Sequence, residues 1–580
     1  MRSLRTAVLA SATAVLCTGA GASLSAQSAP GDDAARVTAL ADEYVAAYRA
    51  AYPEEAELSG LARERHDGFT DNAPAALAAW RAREDAWAAA LAGMDGAGLR
   101  GRPEWVTYGM LRERVEASRA LRVCRQELWP VNQMSGWQAN VATLAQVQPV
   151  GTPALRAQAL DRFGRLPAYV DNEIAWLREG VRQGYTVPRR NVELVVQQLD
   201  AILSGPPEQS PFHDPAARDS TPEFRAAWAA LERDALLPAT RRYRDYLANE
   251  YLPAARETIG IGALPDGRAC YQAMFRSYTT LDRAPEETFR LGEARVARNQ
   301  AEVAEIGRRA WGTAALDSIR ARVRGDRFAN REEMMAFSRE ALERARGQVP
   351  RWFRTVPRAP VVIEPHPAFL EATASDQYFP AAEDGSRPAQ YRINLGPATE
   401  KTRASAEITA FHETYPGHHL QIATAQEQPG AHVVSRLAAS GSYLEGWARY
   451  AEALSEEMGL YTTDGARVDR RLWPARGMVV DPGLHLFGWT RAQAVEYIAS
   501  SGRFDRGQAE ALVDRVIAWP AQLTAYDTGG LEIFALREQA ERALGDRFDI
   551  REFHDVLLRN GAVTLPMLRE SVEAWIAGRR

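Results

Sequence analysis

The stretch Glu407-Ile-Thr-Ala-Phe-His412-Glu413-Thr-Tyr-Pro416-Gly417-His418-His419-Leu-Gln421 puts three of the chain's nine histidines within eight residues, with a carboxylate beside the first. Imidazoles and a carboxylate at this density are the ligand-plus-base chemistry of a zinc hydrolase. In the common His-Glu-x-x-His arrangement the two histidines are four apart, so both face one ion from a single helix turn. Here the first pair is six apart, which places His418 about 120° around an ideal helix from His412. A regular helix cannot present both to one ion. Pro416 removes an intrahelical hydrogen bond and Gly417 permits unusual dihedrals, so the turn can widen and bring His418 back to the metal-facing side. His419, the alternative ligand, returns to the right face but lies about 10.5 Å along a straight helix, too far to share an ion with His412. His412 and His418 are therefore the expected pair. A plain helix end decorated by polar histidines would leave the His-Glu dipeptide and the two following histidines unexplained.

A catalytic zinc site needs a third protein ligand and an open position for water. Downstream, Ser442-Tyr-Leu-Glu445-Gly446-Trp447-Ala-Arg-Tyr450-Ala-Glu452 offers Glu445, 27 residues after His418. Ser442-x-x-Glu445 is also a capping box at a helix start, so local sequence leaves both readings of Glu445 open. Further outward the chain reads as helix. Val37, Leu40, Ala41, Tyr44, Val45 and Tyr48 recur on one helical face before Pro53, and similar patterns cover 75–94, 105–122, 224–251, 285–309, 330–348, 442–458, 491–500, 506–517, 531–544 and 567–576. Charge runs such as Arg331-Glu332-Glu333 are solvated helix faces with i, i+4 pairs. The exception is 357–395, where Val361-Val362-Ile363 and Tyr391-Arg-Ile393-Asn-Leu395 predict short strands. A strand edge beside the histidine helix would be a place to hold an extended peptide. Pro206-Pro207-Glu-Gln-Ser-Pro211 marks a loop.

Composition narrows the class. Over 580 residues, 46 % hydrophobic and 25 % charged residues fit an ordinary globular chain with a sizeable core. A net charge of −5 offers no basic field, so nucleic acid is not expected as a partner. Lys401 is the sole lysine, and the arginines are so numerous that a single one carries little functional weight. Arg2 and Arg5, the uncharged stretch 6–22 and the small residues Ala20, Ala22, Ser23, Ser25 and Ala26 predict a signal peptide over 1–26. The expected location is periplasmic or extracellular, with a mature net charge of −7. Leu16 stands where a small residue would be needed, which argues against lipid anchoring at Cys17. No other stretch is long and apolar enough to span a membrane. Cys124 and Cys270 can pair in an oxidising compartment or remain as buried thiols, but cannot build a cysteine-rich zinc site.

His412-Glu-Thr-Tyr-Pro416-Gly-His418-His-Leu-Gln421 followed by Glu445-Gly446-Trp447-Ala448 resembles the DUF885 family of bacterial proteins, often secreted, which is similar to helical gluzincin metallopeptidases. Leu264-Pro265-Asp-Gly267 with Tyr271, Val480-Asp481-Pro-Gly483-Leu-His485 with Gly488-Trp489, and Tyr526 with Gly529 and Leu536-Arg537 extend the likeness over roughly 35–575. Pro482 departs from it locally. The resemblance implies a predominantly α architecture, a large single helical zinc-peptidase-like unit over 27–580, with a deep cleft and a small β-sheet beside the active-site helix. It implies Zn²⁺ held by His412, His418 and Glu445, and Glu413 as general base for metal-activated water acting on a peptide. His485 and Tyr526 occupy the chain positions from which such peptidases draw oxyanion donors. Arg537 and Arg476 are the arginines expected to grip a substrate carboxylate. Gln421 is expected to support the site or finish the helix. Other functions in view are a non-hydrolytic peptide- or metal-binding envelope protein and a hydrolase of a non-peptide amide or ester. The mode of cleavage and the oligomeric state are not written in the sequence.

Overall fold

Proline punctuates the helices. Pro74–Ala92, Pro103–Leu121, Pro153–Phe163 and Pro285–Trp311 each begin on a proline, whose missing N–H is unpaired at that position in any case. The computed structural model describes residues 30–579 apart from 60, 62–63, 368–370, 372–374, 383–384, 386 and 429. The predicted signal peptide and Cys17 lie outside the described residues.

The fold is predominantly helical, with one three-stranded sheet among the described residues. The helical segments expected from periodicity are all present, within a few residues at their ends except that the one expected over 531–544 starts seven residues earlier, at Thr524. The expected run at 224–251 is a continuous helical stretch with two π turns, Glu232–Leu236 and Leu247–Tyr251. The Pro206–Pro211 loop holds short 3₁₀ turns. No described helix is long and apolar enough to cross a membrane.

The elements that matter for the site come in a compact order. Helix α1 (Arg331–Trp352) leads into β1 (Val361–Pro365), β2 (Gln377–Phe379) and β3 (Ala389–Ile393). Strand order is β1-β3-β2, with β1 parallel to β3 and β2 antiparallel to it, Tyr378 lying opposite Tyr391. Sequence pattern anticipated β1 and β3; the three-residue β2 gave no signal of its own. Then follow α2 (Arg403–Glu413), α3 (His418–Gln426), α4 (Gly441–Glu457), α5 (Arg506–Ala518) and α6 (Thr524–Leu544).

Helix α2 starts on Thr402, whose side chain accepts the Ser405 N–H. Lys401 stands just before that cap, and its carbonyl accepts from Phe328 N at 3.4 Å. Inside α2, buried Glu407 pairs with Arg344 of α1 at 2.5 Å and accepts from Thr462. Helices α4 and α6 cross at bare backbone: a Cβ on Gly446 would lie 2.5–2.7 Å from atoms of Gly529 and Gly530, and one on Gly529 would lie 1.7 Å from the Ser442 carbonyl oxygen. Only glycine permits that approach. Phe411, Leu420, Tyr443, Trp447, Tyr450 and the strand residues Tyr391 and Ile393 belong to the largest apolar cluster, so the histidine segment is wrapped in the main core. A second cluster runs from Val131 to Ala255. Cys124 and Cys270 form a disulfide, closing the alternative of two free thiols.

Candidate metal centre

The break in the histidine segment is sharper than a widened turn. Helix α2 ends at Glu413, Thr414 leaves helical dihedrals, and α3 begins at His418. Gly417 donates its N–H to Phe411 O at 3.1 Å, and a Cβ there would lie 2.0 Å from His412 O, so the chain can double back only over a glycine. The buried indole of Trp447 on α4 donates to Pro416 O and Gly417 O at 3.0 and 3.2 Å. Trp447 thus pins the turn between the two histidines to the helix that carries Glu445.

Three side chains converge as a result. His412, His418 and Glu445 each present one donor atom, and all three atoms lie within 4.8 Å of one another. Glu445 Oε2 is 3.7 Å from Nε2 of both histidines, whose rings stand nearly perpendicular with centroids 4.8 Å apart. Donors about 2.1 Å from a tetrahedral ion are roughly 3.4 Å apart, so this set fits one divalent cation after a small contraction. The alternative reading of Glu445 as a cap is settled by its neighbours: the helix is capped by Ser440, which accepts from Tyr443 N, while Ser442 donates to Thr279 O. Glu445 is free of capping duty.

The surroundings orient the donors. His412 Nδ1 bonds Glu452 Oε1 at 2.9 Å, leaving Nε2 as the inward nitrogen, and Arg449 donates to the same carboxylate at 2.8 Å. A histidine ligand held through its other nitrogen by a carboxylate is a recurrent feature of metal sites. Burial opposes protonation of His412, but Glu445 and Glu452 outweigh it and push its pKa up to about 10. Burial likewise opposes ionisation of Glu452, yet Arg449 and His412 hold it down at about 2. Burial opposes ionisation of Glu445 too, but His412 and His418 hold its pKa well below the usual carboxylate range, so the donor set keeps an anionic ligand. His418 Nδ1 is buried with no hydrogen-bond partner among the described residues, so its ring is aimed by the start of α3.

Glu413 is 8 % exposed. Burial raises its pKa above the usual carboxylate value against the opposing charges of His412 and His418, and Glu445 adds to the rise. Tyr391 on β3 is fully buried, its hydroxyl has no partner among the described residues, and the charges of Asp376 and Glu413 add to the upward push of burial. Tyr378 of β2 bonds His419 in the first turn of α3 at 3.1 Å, so the sheet packs against the histidine segment, as the order of segments led us to expect.

The remaining expected site residues fall elsewhere. His419 is wholly buried with Tyr378 OH and Tyr415 OH on its two nitrogens at 3.1 Å, and burial keeps it neutral with a pKa lowered to about 4. The donor set contains His418 and not His419. His485 is 2 % exposed, with Nδ1 accepting from Ile261 N and Nε2 donating to Val516 O, so the backbone takes up both nitrogens. Arg476 is buried and ties Leu472 O to Tyr497 O and Ser500. Arg537 is paired with Glu457 and Glu541 and donates to Tyr450 OH. Packing thus commits these three side chains to holding helices together. Tyr526 is packed beside the arginine that holds Glu452, its ring centroid 5.8 Å from the Arg449 guanidinium, and burial raises its pKa. Gln421 is 1 % exposed, and its Oε1 has no partner among the described residues. It lines a cavity of about 1700 Å³ with Leu444, but His412, Glu413, His418 and Glu445 are absent from that lining. Sequence reasoning missed Glu452, Arg449 and Tyr391; only Glu452 had a legible signal, seven residues after Glu445 on the same helical face.

A family model described as a bacterial protein of unknown function (DUF885) matches residues 53–572. The chain belongs to this family. Two solved structures, each described as a putative lipoprotein, share its fold. One, from Colwellia psychrerythraea, is 25% identical with a TM-score of 0.84, over 94% of this chain and 99% of that one. The other, from Shewanella oneidensis, is 19% identical with a TM-score of 0.77, over 92% and 99%. A comparison of this DUF885 chain with curated proteins finds no match.

Proposed function

We propose that this DUF885 protein is an exported zinc-dependent peptidase that hydrolyses peptides. The observation that carries the reading is the convergence of His412, His418 and Glu445 with buried Glu413 beside them. Two imidazoles and one carboxylate, with a carboxylate base next in sequence, are the donor set and base of zinc peptidases. Zn²⁺ bound there would polarise the scissile carbonyl and lower the pKa of the attacking water. Glu413 takes the proton from that water and returns it to the leaving amine. Its raised pKa suits the first stroke, because a carboxylate of higher pKa is the stronger base. Tyr526, kept protonated by burial, is the hydroxyl we assign to donate to the oxyanion. Glu452 and Arg449 keep His412 in the tautomer that turns Nε2 inward. Export is supported by the Cys124–Cys270 disulfide, a bond that persists in oxidising compartments, and by the lipoprotein description of both structural neighbours.

The test is to measure bound zinc and then compare wild type with Glu413→Gln on an unbiased peptide mixture read by mass spectrometry. The expected result is equal zinc in both proteins and cleavage by wild type alone. Zinc bound with no cleavage by either protein overturns the peptidase reading, and wild type without zinc overturns the ligand assignment.

A further inference from the structure

A second cavity, of about 350 Å³, lies between α5 and the helices of the metal centre. Helix α5 contributes Gln508, Leu512 and Arg515, at the i, i+4, i+7 spacing of one face. Trp473, Phe504 and Leu523 make the rest largely apolar. On the side toward the donors stand Tyr526, which feels the charge of Glu445, and Arg449, which holds Glu452. Arg449 in the cavity wall bonds Glu452, which in turn bonds His412, so two side chains link this cavity to the candidate ligands. Its volume is at the lower end of the roughly 300–1,000 Å³ typical of small-ligand sites.

The two arginines in it differ. Arg449 is neutralised by Glu452 at 2.8 Å and Asp527 at 3.5 Å. Arg515 has no carboxylate within ion-pair distance among the described residues; its Nη2 donates to the neutral acceptors Gln522 Oε1 at 3.0 Å and Tyr526 OH at 3.3 Å, and its buried Nε has no partner. Arg344, which pairs with Glu407 of α2, is matched with an acid as Arg449 is. A guanidinium fork left without a counter-ion in an apolar pocket is arranged to receive a planar anion from outside, and a carboxylate fits it bidentately.

We propose that Arg515 binds the C-terminal carboxylate of a peptide whose last side chain is apolar, holding the end of the chain beside the metal centre. Trp473, Phe504 and Leu523 receive that side chain, and Tyr526 lies between the bound end and the donors. The consequence for turnover rests on the peptidase reading: such an enzyme works inward from the C-terminus and spares peptides whose end is blocked.

The test uses zinc-loaded Glu413→Gln protein and an acetylated hexapeptide ending in Phe, prepared as the free acid and as the amide, with affinities from calorimetry. The acid is expected to bind about tenfold or more tightly than the amide, the scale of a charge-assisted bidentate pair. Adding Arg515→Gln should bring the two affinities together. Adding Gln508→Glu should weaken the acid alone; glutamate at that position keeps the capping box in which Gln508 bonds Asp505 N, so α5 stays capped. Equal binding of acid and amide, or a preference that survives Arg515→Gln in a protein with unchanged melting temperature, overturns the proposal. Acid-selective binding without cleavage by wild type leaves Arg515 in its role and removes the peptidase reading. Cleavage of acid and amide alike does the reverse.

Discussion

His412 divides its two nitrogens between different tasks. Nδ1 is fixed by Glu452 at 2.9 Å, so that Nε2 alone faces His418 and Glu445. Replacing Glu452 by Gln keeps an acceptor but deletes the charge that Arg449 and His412 share. Zinc affinity is expected to fall about 10- to 100-fold, the usual cost of disturbing such a supporting carboxylate, with all three ligands intact. Chelator competition checks this, and an unchanged affinity would remove Glu452 from the centre. At this scale His412, Glu413, His418 and Glu445 could be picked out from the sequence because their chemistry and spacing are unusual. His485, Arg476 and Arg537 could not be placed, because a histidine or arginine bound to backbone carbonyls or acids from distant segments has the same one-letter appearance as one facing a substrate. Arg515 shows the converse: what distinguishes it is a partner it lacks, which only the packed molecule reveals.

Two helices and a turn make the donor set a single mechanical unit. The indole N–H of Trp447 ties Pro416 O and Gly417 O to α4, two residues from Glu445. Trp447→Phe keeps the buried ring but leaves both carbonyls without that donor, which should cost about 1–3 kcal/mol of stability. Zinc affinity should drop as well, although residue 447 touches no ligand. Loss of stability with normal zinc binding would show that the turn holds its shape unaided. Gly446→Ala acts on the other face of α4, where the new methyl would meet the backbone of Gly529 and Gly530 at 2.5–2.7 Å. Forcing α4 off α6 is expected to cost about 1–3 kcal/mol or more, as overpacking does, and to lower the melting temperature in a thermal scan. The helices themselves were legible because their apolar spacing repeats over several turns. Their junctions were less so: the Pro416-Gly417 interruption was visible, but that it ends one helix and starts another was set by Trp447, 30 residues downstream of Gly417.

At the scale of the whole molecule, buried neutral histidines contribute a loss of stability in acid, against buried Glu173 and Asp481, whose pKa values burial raises to about 7. Burial lowers the pKa of His485 and of His554 to about 3, with His554 donating to Trp352 O and accepting from Tyr450 OH. In the unfolded chain both titrate near 6.5. Between these values the unfolded state binds protons that the folded state refuses, so the contribution of these two histidines is complete above about pH 6.5 and declines as the pH falls toward 3. Denaturant titrations across this range should differ in slope by about one proton between wild type and His554→Gln, the variant losing less stability as the pH falls. A variant with the wild-type slope would mean that His554 is protonated in the fold. The disulfide acts on the other side of the balance. Because it closes a span of 146 residues, its loss in Cys124→Ser/Cys270→Ser should destabilise the protein by about 3–5 kcal/mol. Reduced wild type should melt with the double variant in calorimetry. Sequence could pose the pairing but not decide it, since the two cysteines meet only through the packing of helices far apart in the chain.

Lys401 turns a compositional oddity into a handle. As the sole lysine of 580 residues it stands immediately before the cap of α2, partly exposed, at the foot of the helix that carries His412 and Glu413. An amine-reactive dye would therefore label the chain at one internal position besides its N-terminus. Fluorescence from that dye could follow ligand arrival at the histidine helix without a single engineered residue.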